Sequence, residues 1–205
     1  MKIEEARSLY RGQMKSYHEQ QNKLAEQKKE LEKKIRMTPD GVTVYANEAA
    51  TLELTTLAVN EKQDEYKNYM EKLMEQWSGI CNMEAAKQQG DAMKEYAEDM
   101  GKILEVARRL MDGDIVPATD EKKLMDFSME MYQAAKNIGM MAKKKEQEEH
   151  ESLWEDEEET EYADPAETAN QSEAATIGPE VVPVEQTMTA AAQSGTGNAG
   201  TEIYI

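Results

Sequence analysis

Residue types that could perform catalysis are scarce in this chain. It contains two histidines, His18 and His150, and a single cysteine, Cys81. Neither histidine lies in a Glu-x-x-His pair, which a di-iron centre inside a helical bundle would require. Cys81 has no Lys, Arg or His close to it in sequence that would activate a thiolate. We therefore expect Cys81 to be a half-buried structural thiol rather than a nucleophile.

Motifs that bind phosphate, metal or an acyl group are also missing from the sequence. There is no Gly-rich phosphate loop, no H-E-x-x-H and no G-x-S-x-G. The run Asp112-Gly113-Asp114 brings two acids together but lacks the remaining ligand spacing of a calcium loop. The sequence therefore predicts a protein that is not an enzyme and that uses no cofactor and no metal.

Charge divides the 205-residue chain into two parts. The chain has 24 basic and 42 acidic residues, and every basic residue lies at or before Lys145. Residues 146–205 therefore carry a formal charge of −16, whereas residues 1–145 carry only −2. We predict a helical body over 1–147 and an acidic, largely disordered tail over 148–205. The acidity argues against nucleic acid and anionic membranes as partners, because both require clustered cations.

The body shows helical periodicity and predicts an all-α fold. Apolar or aromatic residues recur every seven positions on either side of a turn at Thr38-Pro39-Asp40-Gly41, where Gly41 can take a positive φ. The two series are Ile3, Tyr10, Tyr17, Leu24, Leu31 and Tyr45, Leu52, Val59, Tyr66, Leu73, Ile80. Such segments, joined by a short loop, predict a long antiparallel, coiled-coil-like hairpin. Polar residues interrupt the companion positions, so a third element or a partner should cover part of the seam.

Further helices should follow the hairpin. The heptad phase changes around Ser78-Gly79-Ile80-Cys81-Asn82, which favours a kink or a short break there, although one continuous helix remains open. The predicted helices are 3–36, 43–79, 82–112 and 120–145. A new stripe is expected on the third of them: Met83, Ala86, Gly90, Met93, Ala97, Met100, Leu104, Ala107, Met111. Gly113 suits a helix C-cap, and Thr119 suits an N-cap.

Two apolar features stand out in the acidic tail. Leu153-Trp154 is embedded in acidic residues and could dock into a basic, apolar groove. Ile203-Tyr204-Ile205 is an apolar segment that a carboxylate-capturing domain could hold. The alternative for both is a solvated tail with incidental hydrophobic residues. Leu153 and Trp154 are therefore candidate partner-binding residues.

One short motif, Trp77-Ser78-Gly79, resembles the W-x-G turn of the secreted helical hairpins called WXG100 proteins. The resemblance implies a helix-turn-helix layout, export without a signal peptide, and roles for Trp77 and Gly79 in partner binding. The chain departs from that family in its length and in having its clearest turn at Pro39. The family's Y-x-x-x-D/E pattern also fails at Tyr96 and Tyr132.

The functional expectation is a non-catalytic adaptor, scaffold or chaperone-like protein that binds one or more protein partners. Self-association through the helical seam is a second option. A cytoplasmic location is expected, because the chain shows no apolar secretory signal and no run long enough to span a bilayer. The alternative is a small exported helical-hairpin protein of the W-x-G type. Partner identity, oligomeric state and biological process are not determined by the sequence.

Overall fold

A computed structural model describes residues 1–142, 147–155 and 160–196 of the chain. Within these ranges the regular secondary structure consists of helices, and the all-α prediction is confirmed. The helices are α1 Ile3–Met37, α2 Gly41–Val44, α3 Ala46–Asp112, α4 Ala118–Phe127, α5 Met129–Met141, α6 Pro165–Gln171 and α7 Val184–Thr196.

The long antiparallel pair formed by α1 and the first part of α3 follows the predicted heptad positions. All five predicted α1 residues are buried, as are Val59, Tyr66 and Leu73 of α3, and Leu52 and Ile80 are half-buried against them. Gln21 Nε2 donates to Asn60 Oδ1 at 2.7 Å across the pair. A polar companion position is thus hydrogen-bonded, which limits the cost of burying it.

The turn between the two long helices lies where it was predicted, but the residue with a positive φ is not the predicted one. Asp40 has the left-handed conformation, with φ of 55°, whereas Gly41 begins the short helix α2. Gly41 is needed for close packing instead, since a Cβ there would lie 2.9 Å from the carbonyl carbon of Ile35. The prediction that Gly41 supplies the positive φ is therefore wrong.

Helix α3 is continuous from Ala46 to Asp112, so the predicted break near Gly79 and Asn82 does not occur. Gly79 is exposed and a Cβ there would meet no neighbour, so it is an ordinary helical glycine, which costs only about 1 kcal/mol relative to alanine. The stripe expected downstream is also mostly exposed up to Leu104. The buried face is Ile103, Val106, Ala107 and Leu110, of which Ala107 was predicted.

The chain divides into two compact units. The first unit contains Met1–Asn82 and Asp164–Ile205, and the second contains Met83–Ala163. Residues 164–196 of the predicted tail are among the described residues. They form α6, α7 and a connecting segment that hydrogen-bonds to the long helices. Lys143–Lys145, the predicted end of the last body helix, lie outside the described residues.

The second unit packs α4 and α5 on the end of α3. The single helix predicted over 120–145 is interrupted at Ser128, whose hydroxyl caps α5 by accepting a hydrogen bond from the Met131 amide at 3.2 Å. Gly113 ends α3 with φ of 81°, as its predicted role requires. Helix α4 begins at Ala118 after Pro117, so Thr119 is not its N-cap. Leu124 and Ala135 are buried in the resulting core.

Candidate functional site

Four tyrosines of the first unit meet on one side of the helix pair. Tyr10 and Tyr17 come from α1, and Tyr66 and Tyr69 come from α3; all four are buried. The ring centroids of Tyr10 and Tyr69 lie 4.7 Å apart, and those of Tyr17 and Tyr66 lie 5.4 Å apart, in edge-to-face arrangements. A buried tyrosine needs a hydrogen-bond partner for its hydroxyl, so this cluster requires polar groups close by.

Those polar groups are main-chain atoms of residues 173–183, which we call the strap. Each of the four hydroxyls donates to a carbonyl oxygen of the strap. The pairs are Tyr69 to Thr176 at 3.1 Å, Tyr10 to Pro179 at 2.6 Å, Tyr66 to Glu180 at 3.1 Å and Tyr17 to Val182 at 2.9 Å. The Val182 amide also donates to the Tyr66 hydroxyl at 2.9 Å. The strap is therefore held through its backbone.

The spacing of these bonds shows that the strap is extended. Tyr10 and Tyr17 are seven helical residues apart, a rise of roughly 10 Å along α1. Their partners, Pro179 and Val182, are only three residues apart along the strap. Three residues cover such a distance only at about 3.4 Å each, which is close to the limit of a fully extended chain. The tyrosine face thus holds a stretched peptide that runs along the helices.

Burial keeps these phenols in the form that donates a hydrogen bond. It raises the pKa of Tyr10, Tyr17 and Tyr69 above the ordinary value for tyrosine. For Tyr10, the neighbouring Tyr69 and Tyr66 raise the pKa further. The three hydroxyls therefore stay protonated at neutral pH, which suits them to binding carbonyl oxygens and makes them unsuitable as general bases.

Three side chains of the strap are exposed and contribute little to this contact, whereas Ala174 packs against the core of the first unit. Ile177, Glu180 and Val181 are exposed. At Gly178, by contrast, a Cβ would collide with the Tyr10 hydroxyl and would lie 2.8 Å from Tyr69 Cε1. Recognition therefore requires a glycine at this one position and reads main-chain carbonyls elsewhere.

Both ends of the strap are fixed to the hairpin. At its start, the Ile3 amide donates to the Ser172 carbonyl at 2.9 Å, and the Ala174 amide donates to the Met1 carbonyl at 3.1 Å. At its end, Thr187 of α7 shares a hydrogen bond of 2.7 Å with the Tyr17 hydroxyl. These contacts supply the third element that the thin helical seam was expected to need.

A cavity of about 620 Å³ remains beyond the strap, where α7 lies near the hairpin. Its apolar lining includes Leu24, Leu52 and Met188, and its polar lining includes Thr51 and Thr55. Helix α7 is rich in small residues along this stretch, with Ala190, Ala191 and Ala192 following Met188. Most of the lining is polar or charged and also includes Gln27, Glu30, Lys34, Asn47 and Glu48, while Leu24 is itself buried.

Trp77, a predicted partner-binding residue, contacts other residues of the first unit. Its indole Nε1 donates to Asn170 Oδ1 of α6 at 2.8 Å, and the Arg7 guanidinium lies 5.2 Å from its ring centroid. Gly79 lies exposed within α3, so Trp77-Ser78-Gly79 forms no turn. The predicted half-buried position of Cys81 agrees with the structure, where its Sγ lies 3.4 Å from the Pro165 carbonyl oxygen.

Leu153 and Trp154, the other predicted partner-binding pair, pack against the core of the second unit. The Trp154 Nε1 donates to Asp99 Oδ1 at 2.7 Å, and the Lys123 ammonium lies 4.3 Å from the indole centroid. The Leu153 amide donates at 2.9 Å to Asp120, a fully buried residue of α4. Leu153 and Trp154 are therefore bound to other residues of the second unit.

Asp114, Glu148 and His150 place three ligand-type atoms within 4.8 Å of one another in the second unit. His150 Nε2 lies 3.3 Å from Asp114 Oδ2, while Glu148 is exposed. The Ile115 amide donates to the Glu148 carbonyl and the Ile115 carbonyl accepts from the His150 amide. This main-chain pairing accounts for the proximity of the three side chains without a metal.

Comparisons of the chain with protein-family models, with curated proteins and with solved structures found no match. None of the helices in the described ranges combines the length and the apolar character that crossing a membrane requires. Ile203-Tyr204-Ile205, the remaining candidate docking segment, lies outside the described residues.

Proposed function

We propose that this chain is a non-catalytic adaptor or scaffold, whose working surface is the tyrosine face of the helical hairpin. The observation that carries the proposal is the hydrogen bonding of four tyrosine hydroxyls, from two helices, to the main chain of one extended segment. Aromatic residues that hold an extended peptide by its carbonyl groups are a recurrent mode of peptide recognition. The partner is a protein, and the proposed location is the cytoplasm.

The chemistry of the site supports binding rather than catalysis. Its polar groups are four phenols, of which Tyr10, Tyr17 and Tyr69 have a raised pKa. Each of the four donates to an amide carbonyl that it cannot activate strongly. The coiled-coil-like seam supplies a stiff mount, because Ile3, Leu24, Val59 and Leu73 are buried along its length. A rigid mount lowers the entropy lost when a peptide is bound, which favours affinity.

The test is in-cell crosslinking followed by affinity capture, using the full chain and two full-length variants. Tyr17→Phe/Tyr66→Phe removes two donors that face the strap, and Tyr96→Phe is the matched control, with a side chain that is exposed in the second unit. The proposal expects a specific partner whose recovery falls in the double variant and is unchanged in the control.

The opposite pattern would contradict the proposal. If recovery is insensitive to the double substitution but is lost in Trp154→Ala, the interaction surface is the second unit and the hairpin is not the working part. Circular dichroism of each variant checks that the helices are intact, so that lost capture is not mistaken for unfolding.

A further inference from the structure

A short parallel pairing in the second unit places three ligand-type side chains on one face. Ile115 is bridged to Glu149 through hydrogen bonds to the two residues beside it. The Ile115 amide donates to the Glu148 carbonyl oxygen at 2.8 Å, and its carbonyl oxygen accepts from the His150 amide at 3.1 Å. Side chains alternate between the two faces of extended backbone, so Glu148 and His150 project away from the side of Glu149. Asp114, which precedes Ile115, joins them there, and the main chain thus assembles the three groups before any ion is bound.

The distance between the His150 and Asp114 side chains suits two ligands of one metal ion. His150 Nε2 lies 3.3 Å from Asp114 Oδ2, whereas a hydrogen bond from a charged nitrogen to a carboxylate is usually about 2.7–2.9 Å long. Ligands that each lie about 2.0–2.1 Å from a tetrahedral zinc ion are separated by roughly 3.3–3.4 Å. Glu148 completes a set of three, because one ligand-type atom of each residue lies within 4.8 Å of the others.

Asp114 presents one of its two oxygens to this position. Its side chain is only 6% exposed, and its Oδ1 atom faces the Glu148 amide nitrogen at 3.4 Å, so Oδ2 is the oxygen beside His150. A main-chain donor at the second oxygen is a common way to orient a carboxylate that binds a metal. The site also lies just after the C-terminus of α3, where the partial negative charge of the helix end favours a cation.

We propose that Asp114, Glu148 and His150 form a binding site for one zinc ion, with the fourth position taken by water. One imidazole nitrogen and two carboxylate oxygens are ligands that zinc accepts, whereas Mg²⁺ and Ca²⁺ prefer a shell of oxygen atoms alone. The zinc site is independent of the proposed adaptor function, because its three residues lie in the second unit, away from the tyrosine face.

A bound ion would join the tail to the body of the second unit. It would link Glu148 and His150 to Asp114, the second residue after the end of α3. The same stretch of chain continues to Leu153 and Trp154, which pack on the core of this unit. Because zinc binds the folded arrangement, it should stabilise the second unit in proportion to the logarithm of its concentration above the Kd.

The experiment is isothermal titration of zinc chloride into the metal-free full chain in the presence of excess magnesium. The magnesium occupies the acidic residues of the tail, which attract any divalent cation. The ligand variants are His150→Gln and Glu148→Gln. The matched controls are His18→Gln, which removes the chain's other histidine at an exposed position of α1, and Glu149→Gln, which removes the exposed neighbouring acid on the opposite side of the pairing.

The expected result is one zinc ion per chain, bound about tenfold or more weakly in each ligand variant and with unchanged affinity in both controls. No saturable binding, or equal weakening in His18→Gln or Glu149→Gln, overturns the site. Circular dichroism checks that each variant is folded. Glu148 is exposed, so Glu148→Gln keeps the test decisive even where His150→Gln loses its structure.

A second measurement identifies the ligand atom directly. The chain has two histidines, so the imidazole nitrogens give two sets of resonances in a nitrogen-15 NMR spectrum. Zinc should shift the Nε2 resonance of His150 and leave that of His18 in place. Zinc that binds in the titration without shifting the His150 resonance would be adventitious binding to acidic residues, which contradicts the proposed site.

Discussion

Two acidic segments that follow the last basic residue dock on their units through opposite arrangements. In the second unit the tail supplies the side chains: Trp154 and Ser152 reach Asp99 and the buried Asp120. In the first unit the body supplies the side chains, and its tyrosines reach the main chain of the strap. In the second unit, the side chains that determine docking lie mainly in the tail. In the first unit, they lie mainly in the body.

This difference distinguishes a contact that requires one particular side chain from a contact made through the main chain. An indole that must reach Asp99 cannot be replaced by another residue type without losing its hydrogen bond, since tryptophan presents its donor at a fixed distance from the ring. A carbonyl group is present in every residue, so the hydrogen bonds of the tyrosine face do not by themselves select particular side chains in the strap. The contact in the second unit thus resembles internal packing, whereas the hairpin resembles a peptide-binding surface that is occupied by the chain's own strap.

Asp120→Ala should have the largest effect. The residue is fully buried and accepts hydrogen bonds from the Ser152 hydroxyl and the Leu153 amide, so its removal leaves buried donors unsatisfied. We expect the free energy of unfolding of the second unit to fall by about 3 kcal/mol. Urea titration followed by Trp154 fluorescence, in a Trp77→Phe background, measures it. Asp126→Ala, at an exposed position of the same helix, is the control, and an equal loss there would refute the special role of Asp120.

Trp154→Ala should cost somewhat less, because the indole is only half-buried. The substitution removes apolar contact, the bond to Asp99 and the stacking of Lys123, and we expect a loss of about 2 kcal/mol. Trp154→Phe retains a ring but has no donor, so it should lose about half as much. Thermal unfolding of the three proteins checks this order. A melting temperature unchanged by Trp154→Ala would show that the tail segment does not stabilise the second unit.

Tyr17→Phe should cost about 1 kcal/mol, the usual contribution of one hydrogen bond between neutral groups. Its hydroxyl contacts both Val182 and Thr187, so the strap and the start of α7 should loosen together. Hydrogen exchange of residues 173–190 measures this loosening, and Tyr96→Phe is the control. Exchange that is as slow as in the wild type would mean that the strap does not depend on the tyrosine hydroxyl.

A rise of pH should destabilise the first unit, and only in strongly alkaline solution. Burial raises the pKa of Tyr10, Tyr17 and Tyr69 above the ordinary 10.0, so the folded chain retains protons that the unfolded chain releases. Their stabilising contribution is complete below pH 10 and is lost as pH rises through the raised values. Denaturant titrations at pH 8 and 11, with Tyr10→Phe for comparison, test the sign. A first unit that is more stable at pH 11 would contradict it.

Ile177→Ala should have the smallest effect, within about 0.5 kcal/mol, because this strap side chain is fully exposed. The matched comparison is Trp154→Ala, since both truncate a tail side chain beside a docked backbone. If Ile177→Ala releases the strap as judged by hydrogen exchange, recognition is not through the main chain, and the contrast between the two units fails.

The helical hairpin was predictable because its signal is local and periodic. A seven-residue repeat of apolar residues specifies which face of each helix is buried, and every predicted position of α1 is buried in the structure. The continuity of α3 was left open by the sequence, and a kink or short break was favoured, because the heptad phase changes there. In the structure the changed phase marks the boundary near Asn82, between the parts of α3 assigned to the two units, rather than the end of a helix.

The candidate site was missed because its two halves lie far apart in sequence. Tyr10, Tyr17 and Tyr66 were recognised as seam residues, but three buried hydroxyls on heptad positions also required acceptors that the seam does not offer. The composition of the tail did not indicate those acceptors, since the residues around Gly178 were interpreted as a solvated tail. The average composition of a segment gives no information about its main-chain carbonyl groups, which are the groups that the hairpin binds.

A contact made through carbonyl groups constrains some positions of the sequence more than others during evolution. Substitutions at Ile177, Glu180 and Val181 leave the bonds of the strap in place, whereas substitution of Gly178 or of the tyrosines does not. Across descendants of this sequence, we expect the glycine and the four tyrosines to persist while the strap's remaining side chains diverge freely. The sequence of the strap can therefore drift at its exposed positions while its path along the helices is inherited unchanged.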